Sequence, residues 1–257
     1  MPTYNSMIRI ILLTVLVMAG SAIAQPTPDR NESALLDPAA MNILKTMSDY
    51  LSSTEQFTFR AEITVEDVLN SGQKLQFERQ LLAYVHRPDK VRVEFSGEKG
   101  QKRFWYDGSK ITLLNIEKNL YARSDAPSRI DETLDFAMET YGIEVPIADL
   151  LVSDPYHSFS QNLESAMYVR LDMVRGQKCH HLAFTQASVD WQLWIEDGEK
   201  LVPRKLAITY KEDFGQPQYM AVFTEWNLAP RLPDVLFSFD TPPGSAEIEF
   251  LSAKEEN

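Results

Sequence analysis

From Phe57 onward the apolar residues of this chain fall on every second position, and that period constrains the fold more than any other feature. Phe57, Phe59, Ala61, Ile63 and Val65 alternate with Thr58, Arg60, Glu62, Thr64 and Glu66. Successive strand residues point to opposite faces, so such a run makes a strand with one face on a core. Asn70-Ser71-Gly72 supplies a turn, after which Leu75, Phe77, Leu81, Ala83 and Val85 share one face of a second strand. Val91, Val93 and Phe95 alternate with Arg92 and Glu94 in a third. Lys102 to Leu114 holds a fourth and a fifth around the turn pair Asp107-Gly108, and Leu120-Tyr121-Ala122 is a short sixth. After a break, strand patterns return at Met167–Val174, Cys179–Thr185, Val189–Ile195, Leu206–Tyr210 and Tyr219–Trp226. Short segments near Phe237-Ser238-Phe239 and Ile248-Glu249-Phe250 close the series. Strands joined in order by short turns imply an antiparallel meander.

Two stretches keep the helical period instead. Asp37 is a good N-cap and Pro38 fits the first helical position. Met41, Leu44, Met47 and Leu51 then form an apolar stripe, with Ile43 and Tyr50 beside it. The second stretch is the break in the strand series. Between Arg129 and Arg170 there is no lysine or arginine, while Asp131, Glu132, Asp135, Glu139, Glu144, Asp149, Asp154 and Glu164 all occur. Ser128 is placed to cap a helix whose first turn carries Asp131 and Glu132, as the helix dipole prefers. Ile130, Leu134, Met138 and Tyr141 fall on one face, Gly142 suits the stop, and Pro146 opens a second apolar stretch through Val152. The segment reads as a helical insertion, acidic outside and apolar inside.

Phe104, Trp105 and Tyr106 put aromatic rings on both faces of one strand, so both faces need cover. A bare concave surface of about 600 Å² would forfeit about 15 kcal/mol at roughly 25 cal/mol per Å², as much as the stability of a whole domain. Two helical segments, each about 10–12 Å across, cover only part of a sheet of some ten strands. The expected fold is therefore mainly β with α. A single antiparallel curved sheet forms a half-open barrel, covered by an N-terminal helix and a helical lid insertion. Between sheet and lid an apolar hollow is expected, with room for an apolar guest.

Near the start of the chain a lone Arg9 precedes an apolar run from Ile10 to Ala19 and the small-x-small pattern Ala22-Ile23-Ala24. Residues 1–24 read as a secretory signal cleaved after Ala24, residues 25–36 as a flexible leader, and 37–257 as one lidded half-barrel domain. An uncleaved anchor is the alternative on the same cues. Gln25 follows the expected cleavage, where a bacterial lipoprotein would need a cysteine. Losing Arg9 takes the formal net charge from -12 to -13. So acidic a chain argues against nucleic acid, or a broad anionic lipid surface, as partner. Cys179 is the one cysteine, so no internal disulfide can form. Export without disulfides points to a bacterial periplasm.

No spacing for chemistry stands out. Cys179 and His181 share a strand face and offer two metal ligands, but zinc needs three or four, and no HExxH or spaced Cys/His partner occurs. There is no Gly-x-Ser-x-Gly elbow and no phosphate-cradling glycine loop. Trp191 and Trp194 lie on opposite faces of one strand, which fits one cavity-facing ring and one outward-packing ring. A carboxylate pair on a sheet could cleave glycosides, but that pairing is spatial and sequence cannot locate it. No catalytic residue, cofactor or metal is expected.

Several landmarks come in a familiar order. An amphipathic helix, Pro38 to Ser53, precedes the strand from Phe57 and a long second strand that ends in His86-Arg87-Pro88. Val91-Arg92-Val93 starts the next strand, Tyr106-Asp107-Gly108-Ser109-Lys110 makes a hairpin, and Phe237-Ser238-Phe239-Asp240-Thr241-Pro242-Pro243-Gly244 closes the chain. In these the mature chain resembles the periplasmic lipoprotein carriers and outer-membrane lipoprotein receptors of the Lol system. It resembles more closely a group of predicted periplasmic proteins of unknown function that share their fold. The resemblance implies acyl chains carried in a half-barrel closed by helices. It also implies a lid latch at Arg87, whose counterpart in the carrier reaches backbone oxygens of the lid.

The expected cavity wall takes Phe59, Ile63, Phe77 and Leu81 from the first two strands, and Val93 and Phe95 from the third. Phe104, Tyr106 and Leu113 come from the aromatic hairpin, and Trp191, Leu193, Ile208 and Phe223 from the later strands. Leu134, Met138 and Tyr141 would line the lid. The expected function is a non-catalytic periplasmic carrier of lipid or lipoprotein acyl chains, served by a membrane-anchored donor or acceptor protein. A protein-interaction or stress-sensing module of the same fold is the alternative, and a hydrolase ranks below both.

Overall fold

The computed structural model describes residues 35–252 apart from Lys99 and Glu144; the expected signal and nearly all of the expected leader lie outside the described residues. Helix α1 (Pro38–Ser52) is followed by β1 (Gln56–Val68), β2 (Lys74–His86), β3 (Lys90–Gly97), β4 (Gly100–Tyr106), β5 (Lys110–Asn115) and β6 (Leu120–Asp125). The insertion holds α2 (Ile130–Tyr141), a 3-10 turn (Ala148–Leu150) and α3 (Pro155–Ser160). Strands β7 (Ser165–Val174), β8 (Gln177–Thr185), β9 (Val189–Glu196), β10 (Pro203–Tyr210) and β11 (Gln218–Asn227) follow, then a 3-10 turn (Asp234–Phe237) and β12 (Ala246–Ile248).

The twelve strands among the described residues form one sheet in the order β12-β6-β5-β4-β3-β2-β1-β11-β10-β9-β8-β7. Two meanders meet where β1 pairs antiparallel with β11. The sheet is open and curved. Arg175, in the turn after β7, forms an ion pair with Glu62 of β1 although four strands separate β7 from β1. The antiparallel expectation holds along the meanders and fails at one edge, where β12 pairs parallel with β6. The chain returns there after crossing the sheet rather than turning back on a neighbour.

The period-two pattern decides which face is buried. Phe57, Phe59, Ala61 and Ile63 are each at most 3% exposed and join a core with Leu81, Val85, Leu193 and Phe223. Helix α1 lays Ala40, Leu44, Met47 and Leu51 into that core. Its start is as expected: the Asp37 carboxylate accepts the Ala39 N–H at 2.8 Å, with Pro38 in the first turn. The same carboxylate accepts the Tyr168 N–H, and these backbone donors hold its pKa below the usual carboxylate value.

Helix α2 begins differently from expectation. Arg129, not Ser128, occupies the N-cap, and it makes no side-chain capping bond. The first turn is tied to β2's end instead, because Ile130 N–H donates to the Pro88 carbonyl at 2.9 Å and Thr133 Oγ1 to Pro127 O at 3.1 Å. Gly142 ends α2 in the left-handed region at φ 64°, as its lack of a Cβ allows.

The outer face over the aromatic strand is covered by the C-terminal segment. Trp105, Leu114 and Tyr121 form a second apolar cluster, against which Phe239 packs with ring centroids 5.1 Å from both Trp105 and Tyr121. Phe104 and Tyr106 point the other way, into the main core. Phe237-Ser238-Phe239 is thus a 3-10 turn running into an extended strap, not a strand, because its role is to lay rings on the sheet rather than pair with an edge. The strap continues through β12 to Phe250, whose ring packs at a tilt against Tyr141 of α2 at 4.8 Å.

Candidate functional site

A cavity of about 540 Å³ lies between the insertion and the inner face of β9 and β10. Val189, Trp191, Leu206, Ile208 and Tyr210 form its floor. These residues alternate along two neighbouring strands, and Trp191 pairs with Ile208 and Leu193 with Leu206 across the ladder. Its roof comes from Leu134 and Met138 of α2, Val145 and Val152 of the connecting segments, and Phe159 of α3. Trp191 anchors the junction. It stacks on Phe184 of β8 at 3.9 Å and 16° and meets Phe159 of the roof at 5.4 Å in a tilted pair, so floor and roof touch through aromatic rings. The volume falls within the roughly 300–1,000 Å³ of small-molecule sites. Two hollows lined by Glu62 and Gln80 among others, about 400 and 590 Å³, have mainly polar walls.

The mouth is acidic. Asp131, Asp135, Asp149 and Asp154 border it, with His157 and no lysine or arginine. Three of the carboxylates also shape the lid. Asp131 accepts the Ser153 N–H at 3.0 Å, Asp154 caps α3 by accepting the His157 N–H at 2.9 Å, and Asp149 accepts the Ser158 hydroxyl. Burial raises the Asp149 pKa above the ordinary 3.8, with the Ser158 bond opposing. A carboxyl raised in the fold adds most stability when it is protonated, below 3.8, and that contribution is lost as pH climbs through the raised value. Asp149→Asn keeps an acceptor for Ser158 without the charge. Its thermal midpoint is therefore expected above wild type at pH 7, with the gap closing as acid protonates Asp149; melting curves across pH check this.

Arg87 sits at the end of β2, before a cis peptide bond to Pro88, and is 8% exposed. Its guanidinium donates to four carbonyls: Leu51 at 2.5 Å, Thr54 at 2.9 Å, Leu150 at 3.0 Å and Leu151 at 3.2 Å. The first two belong to the end of α1 and its exit, the others to the 3-10 turn of the insertion. The planar fork suits several carbonyls converging from two directions. Phe57 lies under the group at 4.9 Å. Desolvation lowers the Arg87 pKa to about 10, with Asp131 opposing, so the group is still cationic at neutral pH. Next door, Pro88 O holds the start of α2. Two consecutive residues thus fasten the start of the lid and its 3-10 turn.

The structure divides the expected wall residues. Leu134, Met138, Trp191 and Ile208 border the cavity. Phe59, Ile63, Leu81, Val93, Tyr106, Leu193 and Phe223 are buried in the core, with Phe95 and Phe104 packed against it. Phe77 and Leu113 are partly buried outside that cluster. Tyr141 packs on Phe136 at 5.6 Å and on Phe250, its hydroxyl donating to Ser124 Oγ at 2.7 Å. The reason is space: Leu44, Met47 and Leu51 of α1, with Ile130, Leu150 and Leu151, share one core with the wall residues of β1–β4. Over β9 and β10 a cavity remains.

Leu206 and Tyr210, missed as wall residues, share the period-two face of Ile208 and could have been read from it. Phe159 was missed with α3, yet Asp154-Pro155 repeats the Asp37-Pro38 helix start. Cys179 and His181 do share a face, but the ring of His181 stacks on Trp194 at 4.1 Å, and burial lifts the Cys179 thiol to about 11. Among the described residues no group of three or more His, Cys, Asp or Glu is placed to hold a metal ion.

A family profile described as "Predicted periplasmic protein (DUF2092)" matches residues 40–251. The chain belongs to this family. The match runs from α1 to just beyond β12, so Arg87, the lid and the cavity all lie within the family's domain, and the closer of the resemblances noted in the sequence, to a group of predicted periplasmic proteins, is borne out. The description marks the family as periplasmic. Comparison with curated proteins gives no match. Among solved structures, the lipoprotein LppX of Mycobacterium tuberculosis is similar at 12% identity and TM-score 0.46, covering 77% of this chain and 100% of its own. LprF of Mycobacterium bovis is similar at 11% and 0.45, covering 82% and 99%. A LolA superfamily protein of Nitrosomonas europaea is similar at 12% and 0.35, covering 78% and 97%.

Proposed function

We propose that the protein is a non-catalytic periplasmic carrier that holds an acyl chain in the cavity between α2–α3 and β9–β10. The supporting observation is the cavity itself: apolar on floor and roof, of ligand size, and roofed by the insertion. Burying hydrocarbon there yields about 0.8 kcal/mol per CH₂, so a chain of ordinary length supplies useful affinity without any specific polar contact. The acidic, cation-free mouth adds selectivity, since a carboxylate or phosphate head would sit among like charges. Guests with neutral or cationic heads fit this mouth best. Arg87 is the latch in this reading. It joins the 3-10 turn of the lid to α1, and release of those carbonyls frees the roof over Trp191. Export through a signal cleaved after Ala24, and exchange with a membrane-anchored donor or acceptor, complete the proposed cycle.

Native mass spectrometry of the purified mature protein, before and after organic extraction, tests the reading. An adduct of lipid mass that extraction removes is expected. Ile208→Trp, which plugs the floor, is expected to abolish it while the fold persists by circular dichroism. Wild-type protein that neither copurifies with lipid nor takes up added alkyl alcohols would overturn the carrier role.

A further inference from the structure

We infer that the free part of β7 is a self-complementary interface that joins two copies of this chain edge to edge. The β7 edge of the sheet is covered for only part of its length. Leu36 bridges Ala166, Asp37 N–H donates to Ala166 O at 2.9 Å, and the Asp37 carboxylate takes the Tyr168 N–H at 3.0 Å. Among the described residues no further strand of the sheet lies beside β7 past its bulge at Val169, from Arg170 to Val174. Sheet edges are usually protected by lysine, proline or very short strands. This stretch, Val169-Arg170-Leu171-Asp172-Met173-Val174, contains neither lysine nor proline, and it exposes Val169 by 38%, Leu171 by 44% and Met173 by 60%. The opposite edge, at β6, is by contrast covered by β12.

The order of the residues selects a second copy as the occupant. With a two-fold axis at Leu171, an antiparallel pairing sets Arg170 opposite Asp172 of the second copy, and Asp172 opposite its Arg170. Leu171 then meets Leu171, with the bulge at Val169 lying outside this central register. Directly opposed opposite charges and matched apolar pairs are the favourable cross-strand combinations. A two-fold edge contact closes on itself, so it gives a dimer rather than a filament. The Met173 N–H, now taken by its own neighbour's Asp172 carboxylate at 2.9 Å, is a donor such pairing can use. Arg170 and Asp172 lie 3.3 Å apart within one copy, so each is already placed to exchange its partner across the axis.

Sedimentation equilibrium of the mature protein, over a wide concentration range, reads this directly. The mass is expected to rise toward twice that of the monomer. Leu171→Lys, which sets two ammonium groups on the axis, is expected to weaken association at least tenfold. Arg170→Asp should do the same, and adding Asp172→Arg to it should restore association by rebuilding the charge pairs in reverse. A wild-type protein that remains monomeric at the highest concentration overturns the inference. So does association that Leu171→Lys and Arg170→Asp both leave unchanged. Where Asp172→Arg lowers the thermal midpoint, the exposed single variants Leu171→Lys and Arg170→Asp decide the question.

Discussion

Replacing Arg87 with leucine is expected to cost about 3–5 kcal/mol of stability, because it strands a set of buried carbonyls at once. The side chain donates to Leu51, Thr54, Leu150 and Leu151, and leucine fills part of its volume without a single donor. Two of those carbonyls belong to the lid turn, so the loss is local before it is global. Hydrogen exchange should therefore accelerate most between residues 147 and 160, while β1 and β11 keep their protection. Uptake of a fluorescent long-chain alcohol should also quicken. Arg87→Lys separates charge from geometry: it keeps the cation but reaches fewer carbonyls, and should fall between the two. Equal protection of the lid in all three proteins would remove Arg87 from any latching role.

Trp191→Ala is expected to cost a further 3–5 kcal/mol, about what large-to-small changes in a packed aromatic core produce. Trp191 is 5% exposed and touches Phe184 and Phe159, so its removal joins the cavity to the space the indole leaves. Denaturant titration measures the stability. The function has its own readout, because Trp191 is the tryptophan that borders the cavity while Trp105, Trp194 and Trp226 do not. A brominated long-chain alcohol should quench the fluorescence of wild-type protein. Trp191→Phe, which preserves the stacking, should lose most of that quenching. Undiminished quenching in Trp191→Phe would place the guest elsewhere.

Much of the architecture was legible because its signal is local. The alternation from Phe57, the turn at Asp107-Gly108 and the helix start at Asp37-Pro38 each follow from the chemistry of neighbouring residues, and each stands where it was expected. The parallel pairing of β12 with β6 was not legible, since nothing in Ala246–Ile248 says which edge it will meet. The site shows the same division. Period two picked out residues that point into the core, such as Phe59, Ile63, Leu81 and Val93, but it also picked Phe77 and Leu113, which lie outside that cluster, and it could not tell an inward residue under α1 from one under open space. Phe59 and Ile208 look alike in sequence; the reach of Met47 and Leu51 from a distant helix separates them. The acidity of the insertion was plain, whereas its gathering around one mouth required the folded turns at Asp149 and Asp154.

The seam between β1 and β11 sets the order in which the molecule can assemble. Every other long antiparallel pairing joins strands consecutive in the chain, but this one brings Arg60 to Glu225, 165 residues apart. Each meander can zip from its own turns, while the middle of the sheet must wait for the largest loop closure of all. A chain emerging N-terminus first therefore holds the apolar flank of Phe59 and Ile63 without its β11 partner until Gln218–Asn227 arrive, with Glu225 165 residues after Arg60. That interval is when a holding chaperone would matter most.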